Sequence, residues 1–122
     1  MPNVDIFILT SGGTFSAAEA FAFALQQNER AEMVGETTGG GGNAGDYLDI
    51  GHGFQAFVPD VHVMAPYGDT SWERTGVRPD ISSSAAEALT VAHREAVRRL
   101  IARETDEAIR EQLRTALAAE LD

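Results

Sequence analysis

The stretch best suited to chemistry is Thr10-Ser11-Gly12-Gly13-Thr14-Phe15-Ser16-Ala17-Ala18-Glu19. Before it, Val4 to Leu9 is apolar and β-branched over a strand's length; after it, Ala17, Ala18, Ala20, Phe21, Ala24 and Leu25 recur at helical spacing. Ser16 therefore falls on a strand-to-helix turn, which Gly12 and Gly13 allow to bend sharply. A hydroxyl at that place lies beside the unpaired N–H groups and positive dipole end of a helix start, where a developing oxyanion would be stabilised. The same residues have a plainer reading. Ser16-Ala17-Ala18-Glu19 is a capping box, in which serine and glutamate satisfy each other's backbone N–H, and residue grammar alone favours this cap over a nucleophile.

A serine nucleophile needs a base. The histidines offered are His52 in a Gly-His-Gly turn, His62 in a strand pattern and His93 on a helical pattern, each read first as an ordinary surface or packed residue. Asp46, Asp49 and His52 could gather round a metal ion, but regular strand alternation places the two carboxylates on opposite faces, and no metal is expected. Gly40, Gly42 and Gly45 satisfy a G-x-G-x-x-G spacing. That fingerprint requires a helix directly afterwards, whereas Tyr47 to Ile50 reads as a strand, so Gly39 to Gly45 is expected to be a mobile or substrate-facing loop rather than a phosphate site. No cofactor is expected.

The elements that must position these residues are those of an α/β domain. A first strand, a helix over Ser16 to Gln27 and a second strand over Ala31 to Gly35 make a βαβ unit with parallel strands. Short antiparallel strands are expected over Tyr47 to Ile50, Phe54 to Val58 and Val61 to Ala65, with Pro59 and Pro66 at strand ends, and Tyr67 to Asp80 as a long irregular connection. Ser84-Ala85-Ala86-Glu87 is a second capping box, opening a helix with Leu89, Ala92, Ala96, Val97, Leu100 and Ile101 on one face. Thr105 is the expected cap of a last helix, whose stripe is Ile109, Leu113, Ala116, Leu117 and Leu121. The division expected is residues 1–83 as an α/β portion and 84–122 as a helical hairpin packed on it, in one structural unit.

The chain of 122 residues has room for one domain with a modest core. A net charge of −10 repels phosphates and anionic lipid surfaces, so nucleic acid is not an expected partner, and no apolar run approaches the roughly 20 residues of a membrane span. The absence of cysteine excludes disulfides, thiolate metal sites and a cysteine nucleophile. The start lacks the basic and apolar regions of a signal peptide.

Several separated motifs, in order, resemble the tail-specific (C-terminal processing) serine protease family. They are the Thr10 to Ala22 run, Arg30-Ala31, Val34 to Gly41, Phe57-Val58-Pro59, Trp72-Glu73 and Gly76-Val77-Arg78-Pro79-Asp80. The branch most similar is that of interphotoreceptor retinoid-binding protein and the tricorn core protease. The resemblance implies a crotonase/ClpP-like βαβ core with added antiparallel strands, Ser16 as nucleophile and the N–H of Ala17 as an oxyanion donor. Tail-specific members carry a lysine base in the glycine-rich segment; here Gly39 to Gly42 contains none, which rules out a Ser-Lys dyad. In the tricorn-like branch a glutamate supports a histidine base, and Glu73 matches that glutamate. The histidine would belong to a preceding half of the domain, so the chain resembles the C-terminal portion of a peptidase, inactive by itself, acting on peptide or protein substrates in its parent. Relatives are often exported, and the surface left by the missing half is a candidate for self-association. The alternative implied is a non-catalytic module holding a retinoid, fatty acid or peptide near Phe15, Phe54, Phe57 and Trp72.

Overall fold

The computed structural model describes residues 4–65 and 70–119. Pro66, Leu121 and the first residues of the expected connection, 67–69, lie outside the described residues. Strand β1 (Phe7–Thr10), helix α1 (Ala17–Gln27) and strand β2 (Glu32–Gly35) form the expected βαβ unit, with β1 and β2 parallel and Leu9 opposite Val34. After a two-stranded excursion, β3 (Asn43–Gly51) and β4 (Phe54–His62), the chain returns to add β5 (Ile81–Ser82), parallel to β2. Helices α2 (Ala88–Arg103) and α3 (Glu107–Ala119) complete it.

Strand alternation builds a three-layer arrangement from the order β1-β2-β5. Ile6, Ile8 and Met33 face α1 and pack with Ala20, Ala22, Phe23 and Leu25, and Trp72 and Val77 close that cluster. Phe7, Val34 and Ile81 face the other way, onto Ala88, Val91 and Ala92 of α2. Arg99 on α2 adds an ion pair to Glu32 on β2 and lies over the Phe7 ring, 5.1 Å from its centre. Asp80 locks the return to the sheet: its Oδ2 accepts from Met33 N at 2.8 Å while its own N–H donates to Met33 O at 2.9 Å.

Three expectations are corrected. The antiparallel strands number two rather than three and form a sheet separate from the parallel one, and β4 runs through Pro59 to His62, with residues 63–65 outside any strand. Pro59 is tolerated because it pairs with Gly45 at a register shift, where a missing N–H costs no regular ladder bond. The second capping box makes only a turn, with Ser84 Oγ on Glu87 Oε2 at 2.6 Å, and α2 begins one residue after Glu87. Asp106, not Thr105, caps α3: its Oδ1 accepts from Ala108 N at 2.8 Å, a carboxylate being the better acceptor at a helix N-terminus. Among the described residues, no helix is long and apolar enough to cross a membrane.

Candidate active site

Ser16 is exposed at the N-cap of α1, with φ 55° and ψ −118°. That conformation is nearly reserved for glycine and costs a serine on the order of 1–3 kcal/mol, so the surroundings must hold it. They do so from both sides. Before it, Thr14 N donates to Ser11 O at 2.9 Å, and Gly39 N donates to Thr14 O at 2.9 Å. After it, Glu19 Oε2 accepts from Ser16 N at 2.8 Å and the Ser16 side chain faces the Glu19 N–H, so the two residues form the expected capping box. Among the described residues, the N–H of Ala17 donates to no backbone partner and points out of the helix start.

Glu19 is fully buried, yet all its acceptor directions are used. Oε1 accepts from the Thr38 hydroxyl at 2.5 Å and Gly40 N at 2.7 Å; Oε2 accepts from Gly41 N at 2.8 Å as well as from Ser16. Burial pushes its pKa up, but the bonds from Thr38, Gly40, Gly41 and Ser16 outweigh it and hold the carboxyl below its ordinary value. The next two N–H groups go to a second carboxylate. Gly42 and Asn43 donate to Glu73 Oε2 at 2.7 and 2.8 Å.

Glu73 rides on a tight turn in which Gly76 N donates to Trp72 O at 2.9 Å, Ser71 Oγ accepts from Glu73 N at 3.2 Å, and Arg74 takes φ 64°. Arg74 N donates to Gly40 O at 2.8 Å, so this turn is pinned to the glycine run. A Cβ on Gly40, at φ +86°, would sit 3.0 to 3.2 Å from the Arg74 backbone. A Cβ on Gly41 would come within 2.3 to 2.7 Å of three Phe15 ring atoms. No side chain leaves Gly41 unless Phe15 moves, so the aromatic residue before Ser16 takes the space that a side chain in the glycine run would need.

The glycine run is thus a held cradle rather than a mobile loop: four consecutive N–H groups grip two glutamates distant in sequence. The same fact disposes of phosphate binding, since the N–H groups that would take an anion are occupied and β3, not a helix, follows. Glycine content signalled an irregular segment but gave no sign of its two partners. Glu19 was legible only as a cap reaching Ser16; its bonds to Thr38, Gly40 and Gly41 had no local signal.

The histidines are placed apart. His52 is at the exposed β3–β4 turn with φ 54°, and His93 is on α2. His62 Nδ1 lies 2.5 Å from Asn43 Oδ1, which links it to the Glu73 turn only through the Asn43 backbone. Asp49 Oδ1 accepts from Gly51 N at 2.7 Å within the hairpin, and no group of three or more His, Asp or Glu side chains suited to a metal ion occurs among the described residues.

The sequence model of peptidase family S41 matches residues 1–83, which carry all of this machinery. The chain belongs to peptidase family S41. Among solved structures it is similar to a photosystem II D1 C-terminal processing protease, at 30% identity and a TM-score of 0.55 over 65% of this chain and 20% of that one. It is also similar to mature CPAF, at 25% identity and a TM-score of 0.59 over 72% of this chain and 18% of the other. A structure of mature CPAF complexed with lactacystin shares the fold at 23% identity and a TM-score of 0.60, over 82% of this chain and 21% of that one. This S41 chain spans about a fifth of the length of the solved structures it matches.

Proposed function

We propose that this S41 chain is the nucleophile-bearing portion of a serine peptidase with a crotonase-like core, and that a histidine from a segment outside it supplies the base. The observation that carries the reading is the strained, exposed Ser16 turn at the start of α1, held by neighbours, with the Ala17 N–H open beside it. Ser16 Oγ attacks the carbonyl carbon of a peptide bond as the histidine takes its proton, and the Ala17 N–H donates a hydrogen bond to the negative charge that forms on the carbonyl oxygen. Collapse breaks the C–N bond, the amine leaves with the proton from the imidazolium, and water then releases the acyl group by the same steps. Glu73 orients that histidine. Its Oε2 is fixed by Gly42 and Asn43, so its Oε1 is the atom available to a ring N–H.

The chain alone is then inactive, because an unactivated hydroxyl lacks most of the rate of the intact constellation. Fluorophosphonate labelling tests this. The isolated chain should resist labelling, added imidazole should promote a slow reaction at Ser16, and Ser16→Ala should abolish it. Stoichiometric labelling without imidazole would place a base within this chain, with His62→Ala then the deciding variant. The binding-module alternative gains no support from the geometry. Trp72 is 3% exposed and packs on Phe23 at 5.0 Å between ring centres, whereas Phe54 and Phe57 lie on the hairpin. The exposed apolar residues of that hairpin favour contact with a further segment or a second copy.

A further inference from the structure

Ser16 and Glu73 stand 57 positions apart in the sequence, on turns with no strand or helix in common. What joins them is the run from Thr38 to Asn43. Glu19 is the group through which the Ser16 turn is attached to it, since one carboxylate takes N–H groups from the turn (Ser16) and from the run (Gly40, Gly41). Its second oxygen takes the Thr38 hydroxyl, and Thr38 Oγ1 in turn accepts from Val77 N at 2.7 Å, next to the turn that carries Glu73. The Gly40 carbonyl completes the link by accepting from Arg74 N.

We propose that Glu19 is a positioning residue that fixes the Ser16 turn in register with the Glu73 turn. The inference rests on the peptidase reading for its consequence, but not for its geometry. The carboxylate does what neither a helix cap nor a core residue needs to do: it takes four hydrogen bonds and clamps the Ser16 turn to the 38–41 run, which Val77 N and Arg74 N in turn tie to the Glu73 turn. An amide in its place would take the charge out of all four bonds and set an NH2 donor against at least one backbone N–H, so at least one bond would fail outright and the others would weaken. A misplacement of about 1 Å costs a positioned nucleophile roughly a hundredfold in rate, so a clamp of this kind is a catalytic requirement although it never touches the substrate.

The test is amide hydrogen exchange on the full chain as wild type, Glu19→Gln and Glu73→Gln. In Glu19→Gln the Ser16, Gly40 and Gly41 amides should exchange about tenfold faster or more, the size of losing a bond to a charged acceptor, while Gly42 and Asn43 keep their protection. In Glu73→Gln the pattern should reverse. In wild type the amide shifts of Ser16, Gly40 and Gly41 should titrate together, with a midpoint below the ordinary glutamate value, and this titration should vanish in Glu19→Gln. Exchange that accelerates evenly through α1 and β2, or a Ser16 amide that does not respond, would overturn the proposal by showing Glu19 to be packing alone. If Glu19→Gln does not fold, Thr38→Val keeps the carboxylate and removes one donor; it should give the same pattern, smaller, with Thr38→Ser restoring protection, and a Thr38→Val chain unchanged at Ser16 would overturn the clamp. Imidazole-promoted labelling reads the consequence separately. Loss of labelling in wild type sinks the peptidase reading and leaves the exchange result standing, whereas labelling at the wild-type rate in a folded Glu19→Gln chain sinks the positioning role.

Discussion

Met33 and Val34 on β2 are fully buried, one under α1 and the other under α2, whereas Tyr47, Ile50 and Phe54 on the β3–β4 hairpin are 68, 64 and 68% exposed. The two regions have similar apolar character and strand propensity, so composition does not distinguish them. What does is the presence of a covering layer: β2 is sandwiched between helices, and among the described residues the hairpin forms a separate two-stranded sheet. An isolated hairpin is marginal in water, and its best internal contact here is Tyr47 against Phe57, ring centres 5.3 Å apart. The candidate site stands where the two regions meet, since Asn43 is both the last N–H of the cradle and the first residue of β3.

The largest expected effect tests the buried side of this contrast. Met33→Ala removes a side chain with no exposure and should destabilise the chain by about 2–5 kcal/mol in a urea titration, with an unchanged slope. A loss under about 1 kcal/mol would mean that the α1 layer is loosely packed, and the contrast with the hairpin would fail.

Acid should act next, and through the site rather than the hairpin. The Glu19 and Glu36 carboxyls both have folded pKa values below the ordinary 4.5, Glu36 because the Gly12 and Ala85 N–H groups bond to it and outweigh its desolvation. A group depressed in the folded state stabilises fully above its unfolded pKa and loses that stabilisation as pH falls through the folded value. Stability should therefore hold down to about pH 4.5 and decline below it, and Glu19→Gln should flatten much of that decline. A melting temperature independent of pH in that range would show that the buried carboxylate is not ionised.

The βαβ half was readable because its signals are local: an apolar strand run, a capping box with a helical repeat after it, and a short apolar run over Ala31 to Gly35 predict α1 and β2 to within a residue at their ends. Strand β5 was not foreseen, since two residues carry no periodicity and it is defined by pairing Val34 with Ile81. Ser16 was marked by its place on a strand-to-helix turn, where a cap was the favoured reading, and Ser16, Ala17 and Glu73 were given catalytic roles through resemblance alone. The clamp was invisible for a physical reason. A backbone N–H has no sequence identity, so nothing in Gly40 to Asn43 marks which carboxylate each N–H will meet, and the partners lie 21 to 31 residues away.

Smaller effects belong to the parts that bury little. Helix α3 has no buried residue among those described, so Asp106→Ala should cost about 1 kcal/mol locally and lower helical content without moving the main unfolding midpoint. A shifted midpoint would instead make α3 part of the cooperative core.

The smallest expected effect is on the hairpin. Ile50 is 64% exposed near the β3–β4 turn, so Ile50→Ser should change the stability of this chain by no more than about 0.5 kcal/mol, measured beside Met33→Ala in the same urea titration. Serine is a weaker strand former, which lowers stability slightly, while removing exposed apolar surface costs the monomer nothing because that surface was never withdrawn from water. The two variants together separate apolar residues that hold the chain together from those that do not. A loss of several kcal/mol at Ile50 would mean that the hairpin is covered in solution, and sedimentation of the two chains would then show whether a second copy covers it: the wild type would associate with rising concentration and Ile50→Ser would remain a monomer.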